Sequence, residues 1–148
     1  MSRYEAVHGA REPTFLPLAV AAARTAVMRP AEPPVVARAQ VVRRHAEAAE
    51  AAAADCWTAL LAGCQAPVRR VLPARLHELT EATSLYVGTR CWYGATSPHR
   101  GRVTDAEARI TDAVRDGDGA EFAEAFAGYD QAVATAVASV RSQTGSPA

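Results

Sequence analysis

Near the end of the chain, two sequence patterns predict a pair of helices joined by a tight turn. Thr104 is followed three residues later by Glu107, and Asp118 is followed in the same way by Glu121. This is the spacing of a capping box, in which the two side chains satisfy free backbone N–H groups at the start of a helix. Gly117 lies between the two patterns and is typical of a helix end. The chain is therefore expected to end in an antiparallel helix pair.

Composition extends this helical prediction to the whole chain. Hydrophobic residues make up 49% of the 148 residues, and alanine, the residue with the highest helix propensity, is the most frequent among them. β-Branched runs and strand-like alternation are scarce. We therefore predict an all-α fold in a single domain over residues 3–142. A flexible C-terminal tail is expected over residues 143–148.

Proline and glycine residues divide the sequence into about six helices. Pro13 and Pro17 interrupt the first region, which predicts either a short helix over residues 3–11 or a kinked helix that continues to about Met28. Short connections favour an antiparallel bundle. The other expected elements are a loop at 29–34, one or two helices over 35–64, a helix over 67–90 that Pro73 kinks or delays, a loop at 94–101, and helices near 104–116 and 118–142.

The charged residues exclude some kinds of function. The 16 basic and 16 acidic side chains give a net charge of zero, and every basic one is Arg. A Schiff-base or general-base lysine is therefore excluded. Neutrality also argues against nucleic-acid binding, which normally requires a basic face.

Neither a membrane span nor a secreted protein is expected. The apolar run over residues 15–28 is interrupted by Pro17 and Arg24 and is too short to cross a bilayer. The N-terminus lacks the regions of a signal peptide. The three cysteines are an odd number without metal-like spacing. These features predict a cytoplasmic protein.

Three segments, taken in order, resemble one known family. In the first, residues 4–12 and 18–25, an acidic residue precedes an Ala-Ala-Ala-Arg-Thr run. The second, residues 57–68, combines an aromatic residue, an apolar stretch and a turn before Pro. The third, residues 107–129, includes a Gly-Asp turn and a long final helix. Together they resemble the FCD domain, the helical effector-binding module of GntR-type, FadR-like transcription regulators. The resemblance covers nearly the whole chain and implies an antiparallel bundle with a ligand pocket between its helices.

The sequence departs from this family at its metal site. Many members bind a metal through an Asp four residues before a His in the third helix, and through two further His on the last two helices. One carboxylate among neutral groups does not form a transition-metal site, so we predict neither a metal nor a cofactor. The corresponding positions hold Ala54, Thr58, Glu107 or Ala108, and Tyr129 or Asp130.

A second departure concerns DNA binding. The family's winged-helix domain would precede Tyr4, where this sequence has only residues 1–3. We interpret Met1 as a natural start, with a fragment of a longer regulator as the alternative. In either case this chain is not expected to bind DNA as those regulators do.

The resemblance suggests a ligand site between the helices, where α-helical bundles commonly bind small molecules. Trp57 and Tyr86 have an alternative interpretation as core residues, and Glu107 as a capping residue. A buried Tyr129 hydroxyl would need a hydrogen-bond partner, with Thr58 or Glu107 as the expected neighbour. The candidate ligand-binding residues are Trp57, Thr58, Arg75, Tyr86, Glu107 and Tyr129.

Three functions remain open from the sequence. The first is a stand-alone, metal-independent small-molecule-binding domain that acts as a sensor or carrier. The second is a cofactor-independent biosynthetic enzyme of acid–base, cyclase or isomerase type, with Glu107 and Tyr129 as catalytic candidates. The third is an interaction protein that pairs through a helix face; a homodimer is left open. The Arg-only, Ala-rich composition is typical of a high-GC genome, where such proteins occur in biosynthetic clusters.

Overall fold

The computed structural model describes residues 12–63 and 67–144, and this part of the chain is all-α. The helices are α1 (Pro17–Met28), α2 (Pro33–Ala62), α3 (Val68–Val87), the single-turn α4 (Thr89–Trp92), α5 (His99–Asp116) and α6 (Gly119–Thr144). The prediction of an all-α bundle of about six helices is thereby confirmed. Within the described ranges, no helix is both long enough and apolar enough to cross a membrane.

Two long helical hairpins form the frame of the bundle. Helices α2 and α3 pack together over their length, as do α5 and α6, and α1 lies against both α2 and α6. Arg109 on α5 forms an ion pair with Glu121 on α6 at 2.8 Å, a contact between the two helices of the second hairpin. Helix α3 contacts α6 through Leu76 and Tyr129, so the two hairpins share one core.

The core combines small side chains on one hairpin with large ones between the hairpins. Several alanines of α2, among them Ala39, Ala46 and Ala53, are almost completely buried, which allows neighbouring helices to approach closely. Helix α3 contributes the predicted stripe of inward residues, because Leu72, Leu76, Leu79, Thr83 and Tyr86 are all buried. Aromatic side chains of α6 fill the centre: Phe122, Phe126 and Tyr129.

Prolines mark helix starts more often than breaks in this fold. Pro17 and Pro33 each occupy the first turn of a helix, where the missing N–H group is not needed. Helix α2 is a single helix, which resolves one of the open alternatives, and it ends at Gly63 with a left-handed φ of 69°. Pro73 lies inside α3 without ending it; the helix stops at Gly88, whose φ is 103°.

The first of the two predicted capping boxes is wrong. Helix α5 begins at His99, so Thr104 lies within the helix rather than at its start. Its Oγ1 donates to the carbonyl of Arg100 at 2.8 Å, the back-bond that Thr makes inside helices. The predicted loop at 94–101 therefore ends before His99, and the helix is five residues longer than expected.

The second helix start agrees with the prediction. Gly117 has a φ of 70° in the left-handed region, and Asp118 Oδ1 accepts a hydrogen bond from the backbone N–H of Glu121 at 3.1 Å. Helix α6 continues through Thr144, two residues into the predicted tail. The helix expected over residues 3–11 and the rest of the tail lie outside the described residues.

Candidate functional site

Tyr129 is the centre of a buried polar cluster between α3, α5 and α6. Its side chain is fully buried, and its hydroxyl donates to the carbonyl of Leu76 at 3.0 Å. The same oxygen lies 2.9 Å from Thr80 Oγ1, and Thr80 in turn donates to Glu107 Oε1 at 2.8 Å. Glu107 is therefore two hydrogen bonds away from Tyr129, close to where the sequence placed it.

This polar cluster extends to the surface at Glu107. The other carboxylate oxygen of Glu107 lies 3.9 Å from His77 Nδ1, and the exposed fraction rises from 19% for the Glu107 side chain to 67% for that of His77. Burial raises the pKa of the Tyr129 hydroxyl far above its ordinary value; the hydrogen bond with Thr80 opposes this rise and the charge of Glu107 adds to it. Tyr129 therefore acts as a protonated hydrogen-bond donor that joins α6 to α3, and Thr80 continues the connection to Glu107 on α5.

The structure does not bring the other predicted residues to this cluster. Thr58 is exposed, and its hydroxyl donates to the carbonyl of Ala54 on its own helix at 3.2 Å, so it is not a neighbour of Tyr129. Arg75 pairs with Glu78 at 2.8 Å near the surface of α3. Tyr86 is buried, and burial raises the pKa of its hydroxyl against the opposing charge of Arg29.

Trp57 belongs to a separate aromatic cluster at the start of α1. Its ring stacks on Phe122 with centroids 5.8 Å apart and planes 27° from parallel. Phe15, from the segment before α1, lies 6.0 Å from Trp57 and 5.5 Å from Phe126. Trp57 and Phe15 are only half-buried, so parts of both rings face solvent.

The exposed sides of these rings border a groove of about 350 Å³ between the start of α1 and helices α2 and α6. We call it the aromatic groove. Its walls are largely apolar, with one buried carboxylate among them. The lining residues are Thr14, Phe15, Pro17, Trp57, Ala123, Phe126, Ala127 and Asp130.

Two carboxylates from distant helices hold the segment that forms one wall of the aromatic groove. Glu50 accepts hydrogen bonds from the N–H groups of Thr14, Phe15 and Leu16 at 2.8–2.9 Å. The first turn of α1 lacks intrahelical acceptors for its N–H groups, and no side chain at its N-cap supplies one. Asp130 takes this role.

Asp130 reaches the first turn of α1 from the middle of α6. Its oxygens accept from the N–H groups of Leu18 at 3.1 Å and Ala19 at 2.7 Å. Burial raises the pKa of the Asp130 carboxyl; the two backbone hydrogen bonds oppose the rise, and the charge of Glu50 adds to it. The carboxyl is thus a structural cap for α1 as well as a polar group at the aromatic groove.

Sequence reasoning missed Glu50 and the role of Asp130 because their partners are 34–36 and 111–112 residues away along the chain. Two local features could have indicated them. Helix α1 starts at Pro17 without a capping residue before it, and an acidic residue follows Tyr129 on the inward face of α6. A buried carboxylate needs hydrogen-bond donors, and the start of an uncapped helix has free N–H groups, so each can satisfy the other.

No group of three or more His, Cys, Asp or Glu side chains in the described parts of the chain is placed to hold a metal ion. No protein-family model, curated protein or solved structure matches this chain.

Proposed function

We propose that this chain is a helical small-molecule-binding domain that works without a metal, and that its ligand binds in the aromatic groove. The half-buried ring of Trp57 is the observation that carries this proposal, because it faces a groove bounded by two further aromatic rings. The resemblance to effector-binding FCD domains points to the same class of function. A cytoplasmic location belongs to this proposal and rests on the sequence features that predicted it.

The dimensions and chemistry of the aromatic groove support a small apolar or aromatic ligand. A volume of about 350 Å³ lies at the lower end of the range for ligand pockets, about 300–1,000 Å³. Each pair of aromatic rings contributes about 0.5–1.5 kcal/mol in addition to the energy gained from the apolar area that the rings bury. Small side chains at Ala123 and Ala127 leave the opposite wall open.

The enzymatic alternative receives less support from the geometry. Its two catalytic candidates meet through Thr80, but the Tyr129 hydroxyl is fully buried and already bonded. Burial holds this hydroxyl in its protonated form, so it is not a base near neutral pH. Glu107 alone remains partly exposed.

The proposal can be tested by filling the aromatic groove. Native mass spectrometry of the purified protein identifies any co-purifying molecule, and indole serves as an aromatic probe in a ¹H–¹⁵N NMR titration. We expect indole to shift the amide signals of Phe15, Trp57 and Ala127. Because Ala127 is exposed, an Ala127→Leu variant should keep its fold and lose most of this binding. Ala120→Leu makes the same change at an exposed position of α6 outside the groove and should leave binding intact.

Equal indole binding in wild type and Ala127→Leu would contradict the proposal, as would the absence of shifts around Trp57 together with no co-purifying molecule. A chelator should not alter the titration. If it abolishes binding, the metal-independent part of the proposal is wrong.

A further inference from the structure

A second groove, independent of the first, lies between α5 and α6. It is an open groove of about 450 Å³, and Ala106, Gly128 and Ala132 are its small lining residues. A Cβ atom built on Gly128 meets no atom within 4 Å, so the space above this residue is open. We call this the polar groove, because charged and amide side chains form its rim.

The polar groove presents one unpaired positive charge and one unpaired negative charge. Arg109 is held by Glu121, with Nε and Nη2 at 2.9 and 2.8 Å from the same carboxylate oxygen. Arg102 and Asp105 also line the groove, and neither side chain has a hydrogen-bond or ion-pair partner within the described part of the chain. The positive charge of Arg102 and the negative charge of Asp105 therefore sum to zero.

His99 does not change this balance near neutral pH. Burial lowers the pKa of its imidazole below the ordinary value of 6.5, and the nearby charge of Arg102 lowers it further. The neutral ring can donate or accept a hydrogen bond at the end of the groove. A purely anionic ligand would face Asp105 as well as Arg102, which disfavours it.

The spacing of Arg102 and Asp105 suits the two charges of a single small molecule. Residues three apart on a helix have Cβ atoms about 5–6 Å apart. The basic residue precedes the acidic one, which is the less favourable order for a direct pair, and the structure keeps them farther apart than an ion pair. Arg is suited to bidentate contact with a carboxylate, and a carboxylate can accept from an ammonium group.

We propose that the polar groove binds the zwitterionic head of a free α-amino acid, with Arg102 on its carboxylate and Asp105 on its ammonium group. Arg102 and Asp105 line the groove from α5, and Gln131 lines it from α6. An amino-acid side chain would lie along the groove past Gln131. The site shares no lining residue with the aromatic groove, so either proposal can fail alone.

The test is an NMR titration of the full chain with L-glutamine and L-leucine at millimolar concentration. Both should shift the amides of Ala106, Gly128 and Ala132. Two analogues of glutamine separate its charges, since glutaramate lacks the amine and 4-aminobutanamide lacks the carboxylate. Each should bind at least about tenfold more weakly than glutamine, as expected when one charged contact is lost.

Single substitutions test whether Arg102 and Asp105 bind the amino acid. Arg102→Gln and Asp105→Asn are exposed changes that should each weaken glutamine binding about tenfold. Arg100→Gln removes the same charge from an exposed position on α5 whose guanidinium lies over the Tyr93 ring, and it should bind like wild type. Gly128→Leu should block the groove while favouring the helix.

Three results would overturn the assignment. The first is the absence of shifts with both amino acids. The second is glutaramate or 4-aminobutanamide binding as tightly as glutamine, which would make the groove a site for a single charge. The third is equal loss of binding in Arg100→Gln and Arg102→Gln, which would indicate a nonspecific effect of net charge.

Discussion

The carboxylate of Asp130 offers a direct test of how α1 is held to the bundle. Asp130→Ala removes the acceptor of two N–H groups in the first turn of α1, from Leu18 and Ala19. Among the described residues no other side chain caps this turn, and Pro17 has no N–H of its own. The whole effect of the substitution is therefore expected at the start of α1.

The expected loss of stability follows from the burial of the two N–H groups. Ala19 is fully buried, so its N–H would lose the one acceptor it has among the described residues, and an unsatisfied buried donor costs about 1–3 kcal/mol. Leu18 is 52% exposed and its hydrogen bond to Asp130 is only partly buried, so we expect a smaller loss there. Burial raises the pKa of Asp130, which means that the ionised carboxyl has a cost of its own that the substitution removes. We expect a net loss of about 2 kcal/mol in the free energy of unfolding.

Urea unfolding followed by circular dichroism measures this loss. For a chain of this size, about 2 kcal/mol corresponds to a decrease in Tm of about 4–8 °C. Native-state hydrogen exchange adds a local measurement, because the Ala19 amide should lose protection before the amides of α6. Glu124→Ala, an exposed change on the same helix, should stay within about 0.5 kcal/mol of wild type.

The reasoning is refuted if Asp130→Ala unfolds within about 0.5 kcal/mol of wild type and Ala19 keeps its protection, since the N–H would then have another acceptor. A uniform loss of protection throughout α6 would also contradict it. Such a result would mean that Asp130 supports its own helix rather than α1.

Two further predictions follow from the buried polar groups. Tyr129→Phe should destabilise the fold by about 1 kcal/mol in urea unfolding, because Thr80 keeps its hydrogen bond to Glu107; a loss above about 3 kcal/mol would show a larger role for the hydroxyl. For His99, the folded state favours the neutral imidazole, so its contribution to stability is present above pH 6.5 and is lost as the pH falls through the lowered folded pKa. In an imidazole NMR titration, Arg102→Gln should raise this pKa while burial keeps it below 6.5; an unchanged value would exclude the charge of Arg102 as a cause.

The elements that sequence predicted well are those determined by neighbours along the chain. The leucine stripe of α3 follows from helical periodicity, and the turn at Gly117 and Asp118 follows from local backbone requirements. Thr104 shows the limit of the same reasoning. A Thr three residues before a Glu can cap a helix or can bond back to the preceding turn, and only the position of the true start at His99 decides between them.

The candidate site was harder to predict because it depends on the register between helices. Tyr129 needed a partner, but the sequence could not show that Thr80, 49 residues earlier, would lie level with it while Thr58 would not. Trp57 and Tyr86 have the same ambiguity: an aromatic residue on an inward face is either core or ligand contact. The structure makes Tyr86 a buried residue and leaves Trp57 half-buried at the aromatic groove.

Tyr129 and Asp130, adjacent on α6, both bind the protein's own backbone. Tyr129 donates to Leu76 on α3, and Asp130 accepts from Ala19 on α1. A ligand placed between Tyr129 and Thr80 would have to break buried hydrogen bonds, each at a cost of about 1–3 kcal/mol, before it gained any contact. Ligands are therefore expected in grooves along the outside of the bundle, where Trp57 and Arg102 are already accessible.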